Sequence, residues 1–116
     1  DFGDSIRFGA ATAAEDEKNL DLVHFDISLY ELYVKGYLEE TKDVLTKEEI
    51  ESLPWGARLM TLECGIRFLT DYLQGDTYFK TEYPEHNLVR ARTQFRLVDE
   101  MEQCFDKMQE IVRKYA

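Results

Sequence analysis

The chain has 116 residues, enough for one small domain, and its 24 acidic against 14 basic residues leave a net charge of −10. A field of that sign repels phosphate backbones and anionic lipid, so neither nucleic acid nor a membrane surface is an expected partner. No apolar run approaches a bilayer span and nothing resembles a signal peptide; with Cys64 and Cys104 set apart and no C-x-x-C motif, two buried thiols in a cytoplasmic domain are expected rather than a disulfide or metal site.

Residues 3–13 read as a short helix, with Asp4 placed where a carboxylate complements the helix dipole. Asp1-Phe2-Gly3 matches the magnesium-binding triplet of protein kinases, but that motif needs a strand before it and an activation segment after it. Here a helix follows directly, and the reading is a turn entering that helix. A start at Asp1 rather than Met leads to the expectation that residues 1–116 are a single helical subdomain, a fragment of a larger protein. Residues 15–19 form a polar connector. Asp26 is a good N-cap for a helix to about Glu40, with Leu29, Tyr30, Tyr33, Val34, Tyr37 and Leu38 at core spacing. Thr46 with Glu49 has the form of a capping box and opens a short helix that ends at Leu53, because a proline disfavours helical geometry in the residue before it. Pro54 then serves as the first turn of a long helix over 55–74, and Gly75 ends it in a left-handed cap. Residues 76–86 are a loop, and Asn87 caps a last helix to about Lys114. Its stripe is Ala91, Phe95, Val98, Met101, Phe105, Met108, Val112 and Tyr115. No segment has the period of two that an amphipathic strand needs, so the class is all-α with about five helices.

The long helix carries the most information. Leu59, Leu62, Ile66, Leu69 and Leu73 make one apolar stripe, and Met60, Cys64, Phe68 and Tyr72 a second beside it. A helix of that kind is expected to be covered on two sides. Glu63, Arg67 and Asp71 lie four apart on the remaining strip. Such a ladder is more often a structural ion-pair network than a site, yet charge in a mostly buried helix needs a partner from the protein or from a ligand. Tyr78 follows in the loop, where a ring more often packs on a core than meets a ligand. His24 and His86 show no metal-ligand spacing and read as surface or capping residues. Arg90, Arg92 and Arg96 suit phosphate in principle, but neutralisation of the acidic surface is the stronger reading. No phosphate-cradling glycine loop and no nucleophile elbow is present, so the segment by itself shows no catalytic apparatus.

Three stretches together are familiar: Asp1–Ala10 with Ala13–Glu17; Leu59–Leu73; and Gly75–Lys80 followed by His86-Asn87-Leu88 and Arg92–Phe95. They resemble the C-terminal part of bacterial N-acetylhexosamine 1-kinases and their close relatives, within the aminoglycoside phosphotransferase and choline kinase-like superfamily. The resemblance implies the helical end of a kinase-like C-lobe, in a parent enzyme that moves the γ-phosphoryl of ATP, with Mg²⁺, to the anomeric hydroxyl of an N-acetylhexosamine. It places the ATP-holding lobe, the catalytic-loop aspartate and the metal-binding aspartate before Asp1, so no catalytic residue, metal ligand or cofactor is expected within these residues. Two sugar-contacting positions of the family fall here, Arg67 and Tyr78. The expected function is therefore an acceptor-site subdomain, inactive alone, that self-associates through apolar surface its parent would cover. The rival from another class is an autonomous acidic helical module that binds a protein partner.

Overall fold

In a computed structural model describing residues 1–116, five α-helices and one 3-10 turn at Leu20–Leu22 make up the chain, which is all-α. The first helix, α1 (Phe2–Gly9), opens where the Asp1 carboxylate accepts a hydrogen bond from the Gly3 amide at 2.9 Å. It ends at Gly9, four residues short of the expected 13. Residues 10–14 are adequate helix formers, but their backbone pairs elsewhere. Ala10 O accepts from Asp26 N at 2.7 Å, Thr12 N donates to His24 O at 3.0 Å, and Ala11 faces Phe25 in an isolated antiparallel bridge. This pairing satisfies the groups a further helical turn would have used, and it seats Val23 and Phe25 in the core.

Asp26 caps α2 (Ile27–Thr41), its carboxylate accepting from the amides of Ser28 and Leu29. Tyr30, Val34 and Leu38 are buried along its inner face. Phe2 sits among the rings of Tyr33 and Tyr37, with centroids 5.6 and 5.0 Å away.

The spine is α3 (Lys47–Leu73), opened by the expected Thr46/Glu49 capping box. Its 27 residues run about 40 Å at the usual rise per residue. Pro54 does not divide it, contrary to the sequence reading. An interior proline costs roughly 3 kcal/mol; burial of the Ile50 side chain on the same face, about 1.5–3 kcal/mol, works against that cost, with Pro54 and Ala57 buried beside it. A second correction concerns its faces. The buried positions are Ile50, Pro54, Ala57, Thr61, Gly65, Phe68 and Asp71, whereas in the leucine stripe Leu59 is 65 %, Ile66 50 % and Leu73 74 % exposed. The stripe of Met60, Cys64, Phe68 and Tyr72 is covered, with α1 meeting the helix at Gly56 and Met60 and α4 at Gly65, and the leucine stripe is the side left open.

Close approach by the next helix explains the inner face. A Cβ placed on Gly65 would lie 2.7 Å from Phe95 Cε1 and 3.2 Å from Gln94 Cβ, so only a glycine lets the two helices meet there. The far end of α3 closes in a Schellman motif with Gly75 at φ 96°. Asp76 N donates to Asp71 O at 2.8 Å and Gly75 N to Tyr72 O at 3.3 Å.

The last predicted helix is two helices, α4 (His86–Gln103) and α5 (Phe105–Tyr115), divided at Cys104 with φ −118° and ψ 23°. The division turns α5 back onto α2 and the start of α3. Tyr30 Oη donates to Met108 O at 3.1 Å, Lys114 pairs with Glu31 at 3.0 Å, and Phe105 meets Trp55 edge-on at 4.8 Å. Asn87 is not the cap of α4, because the helix already includes His86 and Asn87 is fully buried. Cys64 and Cys104 are free and half-buried, and burial holds both thiols above their ordinary pKa. No helix is long and apolar enough to cross a membrane.

Candidate functional site

Asp71 organises the region where α3, the 76–85 loop and α4 meet. It is only 4 % exposed, and both carboxylate oxygens are fully engaged. Oδ1 accepts from the amides of Thr77 at 3.0 Å and Tyr78 at 2.8 Å; Oδ2 accepts from the Phe79 amide at 3.0 Å and from Asn87 Nδ2 at 2.7 Å. Asn87 Nδ2 also donates to Asp76 Oδ1 at 3.0 Å. Burial pushes this carboxyl upward, but the three amides and Asn87 outweigh it and leave the pKa below the usual carboxylate range. Asp71 is thus not the partner of Arg67 that the ladder implied. It is a clamp that sets the backbone of the loop.

The clamp decides where Tyr78 stands. Tyr78 is 73 % exposed, its hydroxyl 3.4 Å from Arg67 Nη2, and the Arg67 guanidinium carbon lies 5.5 Å from the ring centres of both Tyr78 and Phe79. Phe79 in turn packs on Phe68 at 4.7 Å. The Glu63–Arg67–Asp71 ladder does not form, and Arg67 makes no ion pair with any carboxylate. The two residues singled out from the sequence are therefore neighbours on an open surface. They line a cleft of about 320 Å³ with Thr70, Asp71, Gln74 and Phe79.

Arg67 also borders a larger open cleft of about 590 Å³ between α1, α3, the loop and α4. Its acidic lining is Asp1, Asp4 and Glu15, and its basic lining Arg7, Arg67, Lys80 and Arg90. Arg7, 9 % exposed, pairs with Asp4 at 3.0 Å and with Glu15, and Gln94 Oε1 accepts from it at 3.3 Å. Arg90 donates from Nη1 to Lys80 O at 3.0 Å and to Asn87 Oδ1 at 3.1 Å, with its guanidinium carbon 5.6 Å from the Phe68 ring. Sequence reasoning did not single out Lys80, and it took Asn87 for a cap. Neither role carries a local signal, since each depends on which carbonyl or carboxylate the fold brings near.

The remaining candidates part ways. Arg96 pairs with Glu100 on its own helix at 3.2 Å, not with the acidic surface of residues 1–84, and Arg90 and Arg92 make no ion pair. His24 is exposed and bridges Glu100 Oε2 at 2.9 Å and Asp21 O at 2.8 Å; the bond to Glu100 and the Asp21 carbonyl raise its pKa. His86 is not a surface residue. It is 3 % exposed, stacks on Tyr83, accepts from Glu82 N at 3.1 Å through Nδ1, and so directs Nε2–H at Asp16, 3.3 Å away. No three His, Cys, Asp or Glu side chains converge as a metal-holding group, and the paired acids Asp71 and Asp76 already share Asn87. No protein-family model matches the chain.

Proposed function

We propose that this chain is the C-terminal helical part of an ATP-dependent sugar kinase, supplying Arg67 and Tyr78 to the acceptor pocket for an N-acetylhexosamine and inactive on its own. The observation that carries the reading is an arginine with no carboxylate partner, held beside an exposed tyrosine at the mouth of two clefts. Its five N–H donors suit the acetamido carbonyl and hydroxyl oxygens of a sugar, and the Tyr78 face suits the apolar side of a pyranose ring. Phe79 backs the pair, and Asp71 holds the loop, so the geometry is set before a ligand arrives. The resemblance of the three sequence stretches to the N-acetylhexosamine 1-kinases supports the same assignment. ATP, Mg²⁺ and the catalytic aspartate belong, in this reading, to other parts of the parent enzyme.

Binding of N-acetylglucosamine and N-acetylgalactosamine, followed by amide and side-chain NMR shifts, tests the reading. Shifts are expected at Arg67 and Tyr78, and Arg67→Ala should weaken binding about tenfold, the loss of one hydrogen bond to a charged donor. Calorimetry with ATP and Mg²⁺ should show no saturable heat. Full sugar binding by a folded Arg67→Ala variant, or stoichiometric nucleotide binding, would overturn it.

One observation favours the second reading, an acidic helical interaction module. Leu59, Ile66 and Leu73 stand exposed in a row on α3, a contiguous apolar strip of the kind that marks a contact surface. In the kinase reading the rest of the parent covers that row; in the module reading a protein partner does. Sugar-dependent shifts at Arg67 separate the two, because the module has no use for a sugar.

A further inference from the structure

We infer that His24 is a pH-operated latch: as an imidazolium it ties the 3-10 turn Leu20–Leu22 to α4, and on losing its proton it releases the turn while the segment behind it stays attached. The ring geometry is the ground for this. Nδ1 lies 2.9 Å from Glu100 Oε2, and Nε2 lies 2.8 Å from the carbonyl oxygen of Asp21. A carboxylate and a carbonyl are acceptors only, so both ring nitrogens must donate, and only the imidazolium carries two N–H groups. A neutral ring of either tautomer would set a nitrogen lone pair against an oxygen at one of the two contacts.

The surroundings decide which contact is lost. The charged groups that face the ring are Glu100 and Arg96, both from α4; the turn offers the Asp21 carbonyl, and the segment after α1 the neutral Thr12, whose hydroxyl accepts from the His24 amide at 2.9 Å. Glu100 is fixed without the histidine. Its Oε1 accepts from the Phe25 amide at 2.8 Å, and its Oε2 lies 3.2 Å from Arg96 Nε. A carboxylate is the stronger acceptor, so the one proton of the neutral ring stays on Nδ1 and the bond to Asp21 is given up. None of the three turn residues is buried, whereas Val23 and Phe25 beyond them lie in the core. The other side-chain bond to the turn runs from Thr12 Oγ1 to Leu22 O at 2.8 Å.

The bond to Glu100 and the Asp21 carbonyl raise the pKa of the ring against burial and Arg96. The folded value therefore stands above the ordinary one of about 6.5; the latch is closed below that pH and opens as pH rises through the folded value. It involves neither Arg67 nor Tyr78 and does not depend on the kinase reading.

Ring-nitrogen NMR and amide exchange on the labelled 116-residue chain, from about pH 5 to about pH 9, test it. Both ring nitrogens of His24 should be protonated at the acid end, and the Nδ1–H form should remain at the alkaline end. The Leu22 and Val23 amides close the turn on Asn19 O and Leu20 O. Their protection, corrected for the intrinsic pH dependence of exchange, should fall about threefold across the titration, while Phe25 keeps its own. Glu100→Gln should lower the midpoint of the ring, and His24→Ala should show the weaker protection at every pH. An Nε2–H ring at the alkaline end, or turn protection that is flat with pH in the unaltered chain, would overturn the latch. A fall at Phe25 as large as that at Leu22 would overturn the turn as the moving part, and a midpoint unchanged by Glu100→Gln would overturn Glu100 as the anchor.

Discussion

The two faces of α3 invert the usual pattern of an amphipathic helix. Its inner face buries a glycine, an alanine, a threonine and an aspartate beside Ile50, Pro54 and Phe68, while its outer face leaves Leu59, Ile66 and Leu73 at least half exposed. Each of those three side chains would contribute about 1.5–3 kcal/mol if covered, and this fold does not collect it. The inner face instead gives up side-chain bulk for proximity. Gly65 admits Phe95 and Gln94 of α4, and Thr61 returns its hydroxyl to Ala57 O at 2.8 Å, so neither leaves a cavity or an unmet polar group. Which face of a helix is buried is thus set by what the partner helix brings, and the face left out is the one equipped for something else.

Three changes would break or sharpen this contrast. The largest effect belongs to the close approach. Gly65→Leu cannot be absorbed without separating α3 from α4, and unfolding in denaturant should show a loss of about 3 kcal/mol, the upper part of the overpacking range. If the variant is as stable as the parent chain, the inner face is looser than described.

Next is the buried acid at the end of the same face. Asp71→Asn removes the charge that gathers three loop amides and Asn87. Hydrogen exchange at Thr77, Tyr78 and Phe79 should quicken about tenfold or more, and the Arg67–Tyr78 contact should loosen with it. The pH dependence follows from the same group. Its folded pKa lies below the unfolded value, so its stabilisation is present above the ordinary carboxylate range, near pH 4, and is lost as pH falls below it. The acid limb of the stability profile should therefore flatten in Asp71→Asn; an unchanged limb would show that the clamp contributes nothing to folding.

The smallest effect on the fold is expected from the outer face. Leu59→Gln, Ile66→Gln and Leu73→Gln together should leave the monomer within about 0.5 kcal/mol per site. They should abolish the concentration-dependent association that sedimentation of the parent chain is expected to reveal. A parent chain that stays monomeric at high concentration would remove the reason for treating this face as a contact surface.

Much of the local structure is legible in the residues themselves. Asp26, the Thr46/Glu49 box and Gly75 act within a few residues of their own position, and each does what its chemistry predicts. The pairing of Arg67 with Tyr78 is half legible. A left-handed Gly75 returns the chain towards the helix, but the identity of the group that holds the loop is not local, and Asp71 looked like an arginine partner. It takes three backbone amides rather than one guanidinium because the chain, returned by the Schellman turn, brings the Thr77, Tyr78 and Phe79 N–H groups within 3.0 Å of its carboxylate.

The sequence alone determined the all-α class, the caps at Asp26, Thr46 and Gly75, the long apolar helix and the candidate residues on it, because these depend on side-chain periodicity and on hydrogen bonds within a turn or two. Only the tertiary structure decided that helix α1 stops at Gly9, that α3 passes through Pro54, that the last helix breaks at Cys104, and that leucines face water while Gly65 and Asp71 are buried. Those outcomes turn on contacts with segments distant in the chain, such as Phe25 against Ala11, Met108 against Tyr30 and Phe95 against Gly65. No window of local sequence contains those partners, so local propensity cannot foresee them.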